Sequence, residues 1–204
     1  NSVTDYWSTT NNSTGGVFAA SAWTKRPDGY ELLSGAITYH SNDNTQFYHT
    51  SSFDQGAGGT TNTILQSPTF STVGLSAASL MFYQEYGNRD ANDATSIQVS
   101  TDGTSWTNVY LNSSDQGSST SFVQTTVPLN GYLGQPYLMV RFVYTAANDF
   151  MWAIDNVSIT GTPLAHSYSW ISDPIGFTSS AQNPAGLSVT ETTTYAVTVT
   201  NGRG

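Results

Sequence analysis

The stretch Ser96–Leu111, SIQVSTDGTSWTNVYL, decides the fold class. Ser96–Ser100 and Trp106–Leu111 each alternate apolar with polar residues, the period of a half-buried strand. Between them stands Asp102-Gly103, a pair that takes the positive φ of a tight turn at little cost. The segment is therefore predicted to be an antiparallel hairpin. Similar segments lie on both sides: Ala78–Tyr86 before it, and Ser121–Leu129, Tyr137–Thr145 and Met151–Thr160 after it. All are of strand length, turn residues separate them, and helix signals are almost absent. The cadence points to an all-β, two-sheet sandwich of the jelly-roll kind, although spacing alone does not separate that topology from an immunoglobulin one.

The ends of the chain read differently. In the N-terminal third, Gly15-Gly16, Pro27-Asp28-Gly29 and Gln55–Asn62 break the sequence into short strands with long loops. At the other end Gly161-Thr162-Pro163 marks a boundary, because proline cannot donate to a ladder. Alternation restarts at Ser167–Ile171 and is strong over Thr193–Thr200. Residues 1–161 are thus expected to form the sandwich, and 162–204 a small β appendage too short to fold alone without crosslinks.

Only 9% of the residues are charged, against about 25% in an average soluble domain. Ser, Thr, Asn and Gly supply the polar surface, as in many extracellular β proteins. Five basic against fourteen acidic residues give a net charge of -9, so a nucleic-acid backbone is repelled. With no cysteine, neither disulfides nor a thiolate zinc site can staple the fold, and an oxygen-liganded cation is the natural alternative. No apolar run approaches the roughly 20 residues of a membrane helix, and no leader pattern opens the chain, which reads as a mature or excised segment.

Asp155 is the most informative carboxylate. Under strict alternation it shares a face with Met151, Ala153, Val157 and Ile159, where an unpaired charge is costly. Calcium, Arg141 or backbone N–H groups of a neighbouring loop are its candidate partners. A second oxygen-rich group, Ser41–Asn44 with Asn42 and Asp43, is followed by Asp54, and calcium takes six to eight hard oxygen ligands. Asn88–Asp93 is read as a solvated loop. His40 and His49 lie near these acids and several serines, and Glu31 with Glu85 could form a carboxylate pair, yet no nucleophile elbow or zinc motif accompanies them. The chain is therefore not expected to be an enzyme. Among the aromatics, Trp106, Trp152 and Phe142 are expected in the core. Trp7, Trp23, Tyr30 and Tyr48 sit in loop-rich sequence and are expected at the surface, where rings of this kind can stack on sugars.

Four strings taken in order, Tyr39–Phe53 (YHSNDNTQFYHTSSF), Thr63–Phe70 (TILQSPTF), Ser96–Val109 (SIQVSTDGTSWTNV) and Trp152–Gly161 (WAIDNVSITG), resemble the MAM-like jelly rolls of the cleaved-adhesin and choice-of-anchor group in Bacteroidetes. The resemblance covers Trp23–Gly161. It implies a non-catalytic adhesion, binding or spacer module, stabilised by structural calcium, in a long secreted or surface-anchored protein exported by the type IX system. The alternative it allows is a carbohydrate-binding accessory of an exported hydrolase or peptidase. Either way the partners are a surface glycan or protein and other domains of the same chain. Tyr168–Asn201 resembles the second half of an immunoglobulin-like or PKD-like repeat, through its TTTYAVTVTNG ending. The sequence departs from the group in lacking a recognisable glutamate-bearing first strand.

Overall fold

The computed structural model describes residues 6–89 and 93–201. In chain order the strands are β1 (Ser8–Asn11), β2 (Thr24–Arg26), β3 (Tyr30–Leu32), β4 (Ile37–Tyr39), β5 (Phe47–Ser51), β6 (Thr61–Gln66), β7 (Leu75–Tyr86) and β8 (Ala94–Ser100). They continue with β9 (Thr107–Asn112), β10 (Val123–Pro128), β11 (Met139–Ala146), β12 (Met151–Pro163), β13 (His166–Asp173), β14 (Thr178–Ser179) and β15 (Thr194–Asn201). One turn of helix, α1 (Ser52–Gln55), follows β5.

Two antiparallel sheets of five strands face each other, the first in the order β1-β6-β11-β8-β9 and the second β10-β7-β12-β5-β2. Without the two edge strands β1 and β2, the orders β6-β11-β8-β9 and β5-β12-β7-β10 are jelly-roll connectivity, which spacing in the sequence had left open. The predicted hairpin is β8–β9. Trp106 stands just before β9 and is only half-buried, where a core position had been expected.

Alternation builds the core as the pattern requires. Ala78, Leu80, Phe82 and Tyr86 of β7 face Leu65, Ile97, Val140 and Phe142 of the first sheet. Trp152 sits among them fully buried, its Nε1 donating to Gln84 Oε1 at 2.9 Å. Gln84 is held in turn by Thr125 and Tyr110, so the buried polar pair is satisfied. Trp23 corrects an expectation: it is 4% exposed and packs on Trp152 at 5.3 Å.

A second apolar cluster, with Leu32, Tyr39, Phe47, Phe122, Met151 and Ala153, covers the outer face of the second sheet under the β3–β4 hairpin. The first five residues of β12 are therefore buried on both faces, Trp152 and Ile154 toward the sandwich and Met151, Ala153 and Asp155 toward the second cluster. In the N-terminal third, Gly15 and Gly16 both have positive φ, and a Cβ there would lie 2.3 and 2.2 Å from the carbonyl oxygens of Gly58 and Gln55. Only glycine lets those loops approach so closely.

β12 runs through Gly161 to Pro163, still paired with β7. Beyond it β14-β13-β15 form a separate three-stranded sheet.

Candidate functional site: an edge groove and its acidic wall

At the β2 edge of the second sheet a groove of about 370 Å³ is lined by β2, β5, β12 and the loop before β5, together with Trp7 just before β1. That is the lower range of small-ligand sites. Trp7, Tyr48 and Val157 line it, and all three pack on the rim of the main core. Trp7 lies 5.8 Å from Phe142, and Lys25 Nζ stands 5.7 Å from the Tyr48 ring. Thr45, Gln46 and Asn156 add hydrogen-bonding groups to the wall. The site thus combines the Trp7, Phe47 and Tyr48 rings with neutral polar groups, the Lys25 ammonium and the Asp155 carboxyl.

Two of the four surface aromatics expected from the sequence meet here, Trp7 and Tyr48. Tyr30 does not. It packs on Tyr39 and His49, with the Arg26 guanidinium 4.3 Å from its ring, on the outer face of the second sheet.

The acidic wall depends on a bulge. Asp155 pairs with Tyr83 but Ser158 with Met81, so β12 carries one extra residue there. Asn156 takes it up with φ +47, a left-handed conformation asparagine tolerates better than most residues. Strict alternation therefore fails at this point. Asp155 keeps the face of Met151 and Ala153, whereas Val157 packs against the sandwich core and Ile159 pairs with Leu80.

Asp155 is 5% exposed and accepts from Asn42 N at 2.9 Å and Asn156 N at 2.8 Å. Backbone N–H groups are thus its partners. Arg141 is not, being in the other sheet and bonded to Gln98. Burial raises the Asp155 carboxyl above the usual range, the two N–H donors work against that rise, and nearby Asp43 adds to it. Asp43 accepts from Thr45 and from Asn156 Nδ2 at 2.8 Å. Asn42 Nδ2 closes the loop on Asn156 Oδ1 at 3.0 Å. Hydrogen bonds, those of Thr45 first, hold the Asp43 carboxyl below its ordinary value.

Asn42, Asp43 and Asp155 therefore form one network. Asp54 does not join it; it lies on α1 and its N–H donates to Ser51 Oγ. Among the described residues no three His, Cys, Asp or Glu side chains converge as a metal-binding set.

The histidines occupy unlike places. His40 is half-exposed beside Asp28, Nδ1 to Oδ1 3.4 Å. His49 is buried among Tyr30, Tyr39 and Phe47, and burial lowers its pKa to about 3. Its neighbour across β12 is Glu85, which accepts from Tyr39 Oη at 3.2 Å and is pushed up to about 8 by burial. Glu31 is exposed on β3.

Two acids escaped sequence reasoning. Asp149 is fully buried and accepts from Tyr86 Oη, Tyr144 Oη and Arg89 N. Asp93, read as part of a solvated loop, is 3% exposed and accepts from Ala147 N at 2.8 Å. Residues 90–92 of that loop lie outside the described residues. No local motif marks either acid; most of the groups that satisfy them, Tyr86 and Arg89 for Asp149 and Ala147 for Asp93, lie more than fifty residues away.

No family model matches the chain. No curated protein matches it either. Solved structures do. The K2 cleaved adhesin domain of Lys-gingipain is 15% identical with a TM-score of 0.50, over 78% of this chain and 94% of that one. The K1 domain of Lys-gingipain from Porphyromonas gingivalis W83 is 18% identical with a TM-score of 0.45, over 76% and 97%. A family 11 carbohydrate-binding module from Clostridium thermocellum, solved with a mixed-linked tetrasaccharide, is 11% identical with a TM-score of 0.39, over 77% and 89%. The match to the K2 domain is one of fold: the chain shares the sandwich of a cleaved adhesin domain.

Proposed function

We propose that this chain is a non-catalytic binding module that works outside the cell, as an adhesion or display unit of a longer secreted or surface-anchored protein, and that its edge groove takes a glycan. The observation that carries the reading is the groove itself, with Trp7 and Tyr48 on its lining and Thr45, Gln46 and Asn156 beside them. Flat rings suit the apolar faces of sugars, and the amides and hydroxyl suit their hydroxyl groups. The His40–Asp28 pair and the buried His49–Glu85 region lie apart from the lining residues. Resemblance to the cleaved-adhesin group supports the extracellular setting and export by the type IX system. It also supports structural calcium at the wall, where Asp43 and Asp155 supply hard carboxylate oxygens and Asn42 and Asp54 remain further candidates. The three-stranded sheet after Pro163 is read as a partial immunoglobulin-like segment leading to other domains of the same chain.

A glycan array probed with the purified chain tests this. Retention of one polysaccharide class, lost in Trp7→Ala and Tyr48→Ala but kept in Tyr30→Ala, is the expected result. Binding that survives both groove substitutions refutes the groove, and absence of any glycan binding refutes the ligand class.

A further inference from the structure

Arg141 is the sole charged side chain in the five strands of the first sheet. Fourteen acidic residues in the chain leave every one of those strands without an Asp or Glu. The distribution makes an uncharged face with one cation on an otherwise acidic protein.

Val140 and Phe142 point into the core, so Arg141 stands on the outer face. The register sets it in one row with Gln66, Gln98 and Asn108 across four strands, about 14 Å at ordinary strand spacing. Arg141 Nε donates to Gln98 Oε1 at 2.7 Å, and Gln98 Nε2 donates to Asn108 Oδ1 at 2.8 Å. The Trp106 ring lies 4.0 Å from the guanidinium carbon. Direction matters in this chain of bonds. Both amide oxygens already accept, and the groups left at its two ends are donors: the Nη pair of Arg141 and Nδ2 of Asn108. Among the described residues no carboxylate forms an ion pair with Arg141. Asp102, in the adjoining turn, is held within that turn by Thr104 N and Ser105 N at 2.8 and 2.7 Å.

We propose that the outer face of the first sheet is a second ligand surface, separate from the edge groove, and that it takes an acidic polysaccharide through a uronate carboxylate on the Arg141 guanidinium. A guanidinium with its Nε already tied presents two parallel N–H groups, the geometry that receives a carboxylate. The amide donors along the row match the ring and hydroxyl oxygens of neighbouring sugars. One fixed cation on this face receives one carboxylate per contact, so the contact is local and does not rest on the overall charge of the chain.

Affinity electrophoresis through polygalacturonate, alginate and hyaluronate tests the assignment, with methyl-esterified polygalacturonate and polyglutamate as controls. Retardation by at least one of the three uronans is expected. For that uronan, binding should weaken roughly ten- to hundredfold in Arg141→Gln, fall less in Arg141→Lys and Asn108→Ala, and persist in Trp7→Ala. Melting temperatures of the Arg141 and Asn108 variants should stay near wild type. The proposal is overturned if none of the uronans retards the protein, if Arg141→Gln binds as wild type does, or if esterified polygalacturonate or polyglutamate binds equally well. Loss in Trp7→Ala with retention in Arg141→Gln would move the ligand to the groove and likewise overturn the second surface.

Discussion

Replacing Glu85 by Gln should remove the alkaline limb of the stability profile and expose an acid limb that Glu85 masks. In the folded protein Glu85 titrates near 8, raised by burial from 4.5, and His49 near 3, lowered by burial from 6.5. Between pH 4.5 and 8 the folded state holds a proton on Glu85 that the unfolded state has released, so stability falls as pH rises through that window. Between pH 3 and 6.5 the unfolded state holds a proton on His49 that the folded state refuses, so stability falls as pH drops. Each slope is about 1.4 kcal/mol per pH unit. From pH 4.5 to 6.5 the two cancel, giving a plateau. From pH 6.5 to 8 only Glu85 acts, and wild type should lose about 2 kcal/mol, or about 4–8 °C in Tm for a domain of this size. Glutamine keeps the shape and can still accept from Tyr39 Oη, but it does not titrate. Thermal melts of wild type and Glu85→Gln from pH 4.5 to 8.5 measure the difference directly. The variant should be flat above pH 6.5 and lose about 3 kcal/mol between pH 6.5 and 4.5. Two curves separated by a constant offset would refute the reasoning, because Glu85 would then carry the same charge in both states.

Two further outcomes follow from the wall of the groove. If calcium sits at Asp43 and Asp155, chelation lowers the wild-type Tm by several degrees and leaves Asp155→Ala unmoved; an equal loss for Asp155→Ala with and without chelator instead assigns the residue to its backbone partners alone. Asn156→Val should cost about 1–3 kcal/mol in chemical unfolding, for the positive φ and the lost amide contacts, with Asn156→Gly losing less; equal stability of the two variants would show that backbone conformation is not what constrains this position.

What could be read in advance was whatever repeats locally. Alternation and Asp-Gly punctuation located the β8–β9 hairpin and placed Trp152 and Phe142 in the core, because period and turn chemistry act within a few residues. Trp23 was misplaced for the opposite reason. Its surroundings look like loop, yet its ring is buried against Trp152, more than a hundred residues later in the chain. Asp155 was recognised as a buried acid, and the N–H groups of Asn42 and Asn156 donate to it. The bulge beside it left no signal, since Asp-Asn-Val fits an unbroken strand equally well. The groove was legible only as separate residues. Trp7 and Tyr48 belong to segments far apart in sequence, and only the closing of two sheets brings them together.

The bulge also explains why the groove lies at this edge. Before it, β12 is buried on both faces, and only its last two residues, Ile154 and Asp155, reach the groove lining. A strand continuing in strict alternation would place Asn156 toward the sandwich and Val157 under the outer cluster. The extra residue returns Val157 to the rim of the main core and leaves Asn156 free to bridge Asp43 and Asn42. One residue in a left-handed conformation thus ends the doubly buried stretch, anchors the loop of residues 42–45 to β12, and sets an apolar residue beside Tyr48 on the groove lining. A surface of that kind can vary its ligand through the loop and the aromatic rings while the sandwich stays unchanged, because the anchor is made mostly by backbone and amide groups.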